Sequence, residues 1–129
     1  LIVKVFVYKN LHATRKNGGV TVYSVKALDG PDKGRVIARS SHVLLTDVRP
    51  KVSQAGRRRV LREGRKNVHA GLVGNLVSLD RRPFHGDVIT YNPYMYDSFV
   101  FKAYDDVHYY GSELAYLSDV NVKVLELKG

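Results

Sequence analysis

The sequence predicts a mostly β domain with one short helix (α+β), built as an antiparallel small barrel or sandwich of seven to eight strands. Two observations lead there. Short runs rich in β-branched and aromatic residues recur along the 129-residue chain, each bounded by Gly, Pro, Asp or Asn. One segment, Ser53 to Lys66, breaks that pattern with Arg, Leu and Glu, which are good helix formers.

The elements follow in order. Val3, Val5 and Val7 alternate with Lys4, Phe6 and Tyr8, and VTVYSVKAL alternates again after the turn-rich TRKNGG. This period of two predicts a β-hairpin with a long loop. DGPDKG supplies a turn into GRVIAR, the third strand, and HVLLTDV makes a fourth that should end near Pro50, which cannot donate to a ladder. Later strands are expected in NVHAGLVGNLVSL, DVITYN, SFVFKAY and NVKVLEL. In the exceptional segment Ser53 is a ready N-cap and Gly64 a stop, so a helix of about three turns is expected there. Its apolar surface is thin, with Ala55, Val60 and Leu61 the residues able to face a core. Gly56 should weaken the first turn by about 1 kcal/mol relative to alanine.

Length bounds the chain to a single domain over residues 1–129, with the basic helical segment at about 53–66. Hydrophobic content of 44% against 26% charged residues is that of a folded globular chain. The absence of cysteine excludes disulfides, thiolate catalysis and cysteine-ligated zinc. No apolar run reaches the roughly 18 residues of a membrane span, and LIVKVFVY is too short and too alternating for a signal peptide. The expectation is a soluble cytoplasmic protein with no membrane partner.

Charge is the most informative feature. Of a net +9, residues 49–66 carry eight cations (Arg49, Lys51, Arg57, Arg58, Arg59, Arg62, Arg65 and Lys66) against one acid, Glu63, and residues 83–129 carry a net −4. Clustered cations repel one another unless an anionic partner or nearby carboxylates compensate them. At helical spacing Arg58, Arg62 and Arg65 share one face with Arg59 and Lys66 flanking it, and Glu63 can pair with Arg59 or Lys66. Arginine's planar fork suits phosphate oxygens, so Arg57, Arg58, Arg59, Arg62, Arg65 and Lys66 are the expected phosphate-binding residues. The bland alternative is a solvated face braced by Asp97, Asp105, Asp106, Glu113 or Asp119.

Seven of the nine tyrosines lie in residues 91–116. Beside a basic groove, exposed aromatics stack on bases, which makes Tyr91, Tyr94 and Tyr96 candidates, with Asn92 placed by a turn to pair with a base edge or to cap its loop. Packing into the β surface is the competing role for these tyrosines. His69 follows the arginines directly and could serve as general acid or base in phosphodiester cleavage. It would need a titratable partner, and nothing in the spacing of His42, His85 or His108 supplies one. Asp105 and Asp106 are adjacent and do not make a metal site by themselves; no metal and no cofactor are expected.

The residues GRRRVLREGRKNVHAGLVG, VYKNLH, KGRVIA and ITYNPYMYDSFV resemble a family of small proteins of bacteriophages and bacteria to which no activity is attached. The resemblance carries over no catalytic or binding residue. It implies a phage or prophage setting, host cytoplasm, and an accessory or anti-defence role. The expected function is therefore non-catalytic binding of DNA, RNA or another phosphate-rich ligand through the arginine helix. The alternatives are an inhibitor or sponge that takes an acidic host protein or a small nucleotide, and a small metal-independent nuclease using His69. Exposed strand edges would allow homo-oligomers in each case.

Overall fold

A computed structural model describes residues 2–65, 67–79, 85–105 and 107–125. The elements in chain order are β1 (Lys4–Lys9), α1 (Leu11–Lys16), β2 (Tyr23–Ala27), β3 (Val36–Ser40), β4 (Val43–Val52), α2 (Gln54–Glu63), β5 (Ala70–Ser78), β6 (Asp87–Thr90), β7 (Val100–Phe101), β8 (Ser112–Leu117) and β9 (Val122–Leu125). Every strand pairing is antiparallel.

The expected barrel or sandwich is not formed. Among the described residues nine strands join one open sheet in the order β3-β2-β1-β5-β4-β8-β9-β6-β7, and its two edges, β3 and β7, do not pair. A sandwich needs the chain to leave one sheet and start another. Here β4 pairs with the later strands β5 and β8, and β6 with the later strands β7 and β9, so strands added afterwards join the two parts of the ladder into one sheet.

Among the described residues two helices are present where one was expected. The loop of the first hairpin contains α1, whose cap Asn10 accepts from the Ala13 amide through its side chain at 2.9 Å. Arg15 and Lys16 sit in its last turn, where they favour the negative end of the helix, and Gly18 and Gly19 then take positive φ to lead the chain away.

Pro50 does not end β4, which runs on to Val52. The β4–β8 pairing stops at Val48, whereas β4–β5 pairing continues through Pro50 to Val52. Pro50 therefore stands where β4 is paired on one side, and a missing N–H there need not break a ladder bond. Just before it, Asp47 adopts φ 51° at a register shift between Thr46 and Arg49, and its carboxylate takes a hydrogen bond from Asn75 at 3.2 Å. β8, from SELAYL, was not among the expected strands. β7 is much shorter than SFVFKAY suggested. Glu126 and Leu127 of the expected last strand, like Asp106, lie outside the described residues.

One face of the sheet forms the core. Val5 and Val7 of β1, Val25 of β2, Leu45 and Val48 of β4, Leu72 of β5, Ala115 and Leu117 of β8 and Val124 of β9 belong to one buried cluster. The alternation seen in β1 sorts its residues as expected: Val5 and Val7 are buried, and Lys4, Phe6 and Tyr8 lie on the other face. Tyr109, fully buried, donates its hydroxyl to Ser112 Oγ at 2.6 Å, and that oxygen in turn donates to the Leu114 carbonyl.

Tyr23 spans the apolar face, donating its hydroxyl to the Ser118 carbonyl at 2.9 Å. Burial, and secondarily the Asp119 carboxylate, pushes its phenol above the ordinary tyrosine range. In the unfolded chain the same phenol ionises near pH 10. Its stabilising contribution is therefore complete below that pH and is lost as pH rises above it. Tyr23→Phe should lower stability at neutral pH by about 1–2 kcal/mol, because the Ser118 carbonyl loses its donor. It should also flatten the alkaline fall of stability. Denaturant unfolding at neutral and alkaline pH measures both effects.

Candidate functional site

The arginine segment folds as its capping residues dictate. Ser53 Oγ accepts from the Gly56 amide at 3.1 Å, and Gly64 closes α2 in the left-handed conformation at φ 66°, its amide bonding to the Val60 carbonyl. Val60 is the buried residue of the helix, while Ala55 and Leu61, also expected to face the core, are exposed. Because α2 ends at Glu63, Arg65 lies past the cap and does not share a helical face with Arg58 and Arg62. Lys66 lies outside the described residues.

Arg57 differs from its neighbours. Its Nε donates to the carbonyls of both Pro93 and Tyr96 at 3.0 Å, clipping the β6–β7 loop to the helix. Gln54 adds a second clip, Nε2 to the Asp97 carbonyl at 2.9 Å. Arg57 is thus committed to holding a loop. Arg57→Ala should release residues 93–96, costing about 1–2 kcal/mol of stability. Hydrogen exchange across that loop, faster in the variant, checks this.

Arg57 thereby ties the helix to the tyrosines. The clipped loop is the tyrosine turn itself. Asn92 closes it, its side-chain oxygen accepting from the Tyr94 amide at 2.9 Å and its carbonyl accepting from the Tyr96 amide at 2.8 Å. Asn92 accordingly serves as the cap of the turn. Tyr94 is 60% exposed and Met95 68% at the tip, whereas Tyr96 is half-buried. Tyr91 packs its ring 5.3 Å from Phe99 and is not presented for stacking.

His69 is tied into the same assembly. Its Nδ1 lies 2.9 Å from the Asn67 carbonyl, which accepts only, so Nδ1 carries a proton. Its Nε2 meets the Tyr91 hydroxyl at 2.7 Å. Burial raises the Tyr91 phenol above its ordinary range, with Arg57 pulling it back and Asp97 raising it further, so the hydroxyl stays protonated and donates to Nε2. Both ring nitrogens have protein partners. A Cβ at Gly56 would stand 2.6 Å from the Cβ of His69, so the glycine of the first turn is what lets α2 rest on this histidine. Gln54 and Phe99 were not singled out from the sequence, and Gly56 was read only as a weak point of the helix, although a glycine inside an otherwise helical run also signals close packing.

The hydrogen bonds of His69 go to Asn67 and Tyr91, not to another histidine. His42 precedes β4 at its far end and bonds Tyr116 through Nδ1 at 2.5 Å, and His108 faces the Asp97 carboxylate at 4.0 Å. Among the described residues the acidic C-terminal third forms no ion pair with the arginines; the pair present is Arg62–Glu63 at 3.8 Å, with the arginine side chain 75% exposed. Arg58, Arg59, Arg62 and Arg65 all remain solvent-exposed. Chemically the site is a set of guanidinium forks on a helix end, beside a turn with a tyrosine at its tip.

Comparison with known proteins agrees over nearly the whole chain. Residues 2–125 match the family described as Mycobacterium phage L5 gene 82 protein. The chain is 51% identical over 121 residues to the Gene 82 protein of Mycobacterium phage L5, an overlap covering 94% of each sequence. No solved structure matches. The protein thus belongs to the phage L5 gene 82 protein family.

Proposed function

We propose that this chain is a non-catalytic binding protein that engages DNA or RNA through the exposed arginines of α2 and the residues just beyond it. The observation that carries the reading is that Arg58, Arg59, Arg62 and Arg65 stand exposed and that, among the described residues, their one carboxylate contact is Arg62 with Glu63. Such a concentration of exposed guanidinium groups favours a ligand that brings several phosphates at once. Support for a base contact comes from Tyr94, which is exposed and held beside the helix by the Arg57 clip; an exposed tyrosine next to cations can stack on an unpaired base. In a phage-encoded protein this points to an accessory role inside the infected cell, including interference with host defence, by analogy with other small basic phage proteins.

The test is binding of labelled single-stranded DNA, duplex DNA and RNA across a salt series, using the native chain and an Arg58→Ala, Arg62→Ala, Arg65→Ala variant. Salt-steep binding lost in the variant supports the reading. No binding near physiological salt overturns it.

A further inference from the structure

The face of the sheet opposite the core carries a second basic surface, distinct from α2. Strand register places Lys26 of β2, Phe6 of β1, Val73 of β5 and Arg49 of β4 in one row across four neighbouring strands, a span of about 14 Å. A neighbouring row sets Tyr8 beside Ser24 and Arg39, and Lys51 stands opposite Gly71. The Phe6 and Tyr8 rings stack at 5.4 Å, with an interplanar angle of 30°. Phe6 packs over Gly71, where an added Cβ would lie 2.8 Å from the ring, so the missing side chain makes room for it. The Lys51 ammonium sits over the Phe6 ring, 5.5 Å from its centroid, so a cation and an aromatic ring share one spot on this face. Lys4, Arg39, Arg49 and Lys51 are exposed. β1, β2, β3 and β5 contain no acidic residue, and β4 contains one, Asp47. Beside Arg39 the face runs into an open cleft of about 640 Å³ between α1 and β3, lined by His12, Lys16, Asn17 and Ser40 among others.

We infer that this face binds a single-stranded polynucleotide, with bases stacking on Phe6 and Tyr8 and phosphates meeting Lys26, Arg49 and Lys51. The inference rests on the nucleic-acid reading above and deepens it. A duplex keeps its bases stacked on one another and has nothing to offer an aromatic pair on a sheet, whereas a single strand can splay its bases onto it. The strip of cations flanking the rings supplies the charge complementarity. β4 joins this surface to α2, since Lys51 lies two residues before the Ser53 cap.

The test uses the full chain with short labelled oligo(U), oligo(dT) and a duplex of equal length, and a Phe6→Leu, Tyr8→Leu variant that keeps apolar bulk but removes both rings. The native protein should prefer the single strands. The variant should bind them roughly tenfold or more weakly while its duplex affinity and melting temperature stay near native. Native preference for duplex, or unchanged single-strand binding by the variant, overturns the inference. If single-strand binding then falls with the arginine substitutions in and after α2, the reading of the helix stands alone. A native chain that binds none of the three probes overturns both.

Discussion

Replacing Arg58, Arg62 and Arg65 together by alanine is expected to abolish nucleic-acid binding near physiological salt while leaving the fold intact. Each phosphate contact contributes about 0.9 to the log–log salt slope on duplex DNA and about 0.7 on a single strand. Three lost contacts should flatten the slope by about 2–3. The fold should tolerate the change because none of the three holds the helix in place: α2 is anchored by Val60, Arg57, Gln54 and Gly56. Alanine is also a better helix former than arginine, and the Arg62–Glu63 pair is exposed and contributes little. Fluorescence anisotropy across a salt series with a parallel thermal melt separates the outcomes. An unchanged slope with full affinity would remove the arginines from the binding surface.

Gly56→Ala is expected to destabilise the protein, although helix propensity taken alone says the opposite. A glycine-to-alanine exchange within a helix gains about 1 kcal/mol. At this site the new methyl would stand 2.6 Å from the Cβ of His69, an atom fixed to the backbone at the entry to β5, so helix and strand must separate. Overpacking of this kind costs about 1–3 kcal/mol. The shift also strains the bond from Tyr91 to His69 and the Arg57 clip to the tyrosine turn. The net expectation is a loss of about 1–2 kcal/mol, read by urea unfolding. A stabilised Gly56→Ala variant would mean that α2 does not rest on His69.

How far the site was legible differs from residue to residue. The helix and both of its caps could be read, because Ser53 and Gly64 act on their immediate neighbours. That Arg57 clips a loop while Arg58 faces water could not, since the partners, Pro93 and Tyr96, lie 36 and 39 residues away. The bond of His69 to Tyr91 was hidden for the same reason, at a separation of 22 residues. The Phe6–Tyr8 surface passed unnoticed as ordinary strand alternation. It becomes a surface when β2, β5 and β4 bring Lys26, Gly71, Arg49 and Lys51 alongside.

The fold divides along the same line. Strands with strict alternation, such as β1 and β2, were evident from period two. β8 was not: Glu, Leu and Ala are residues that helices favour, and pairing with β4 and β9 on either side overrode that preference. α1 was hidden by its length, although Asn10 and Gly18 bracket it.

What the sequence determined by itself was local: the excess of β structure, the caps of α2, the charge crowded into residues 49–66 and the apolar face of β1. Tertiary structure alone decided that the strands make one open nine-stranded sheet, that Arg57 is a clip and that, among the described residues, the acidic third forms no ion pair with the other arginines. The reason is physical. Periodicity and capping depend on contacts a few residues apart, whereas strand order, charge compensation and close approach at a glycine depend on which distant segments pair.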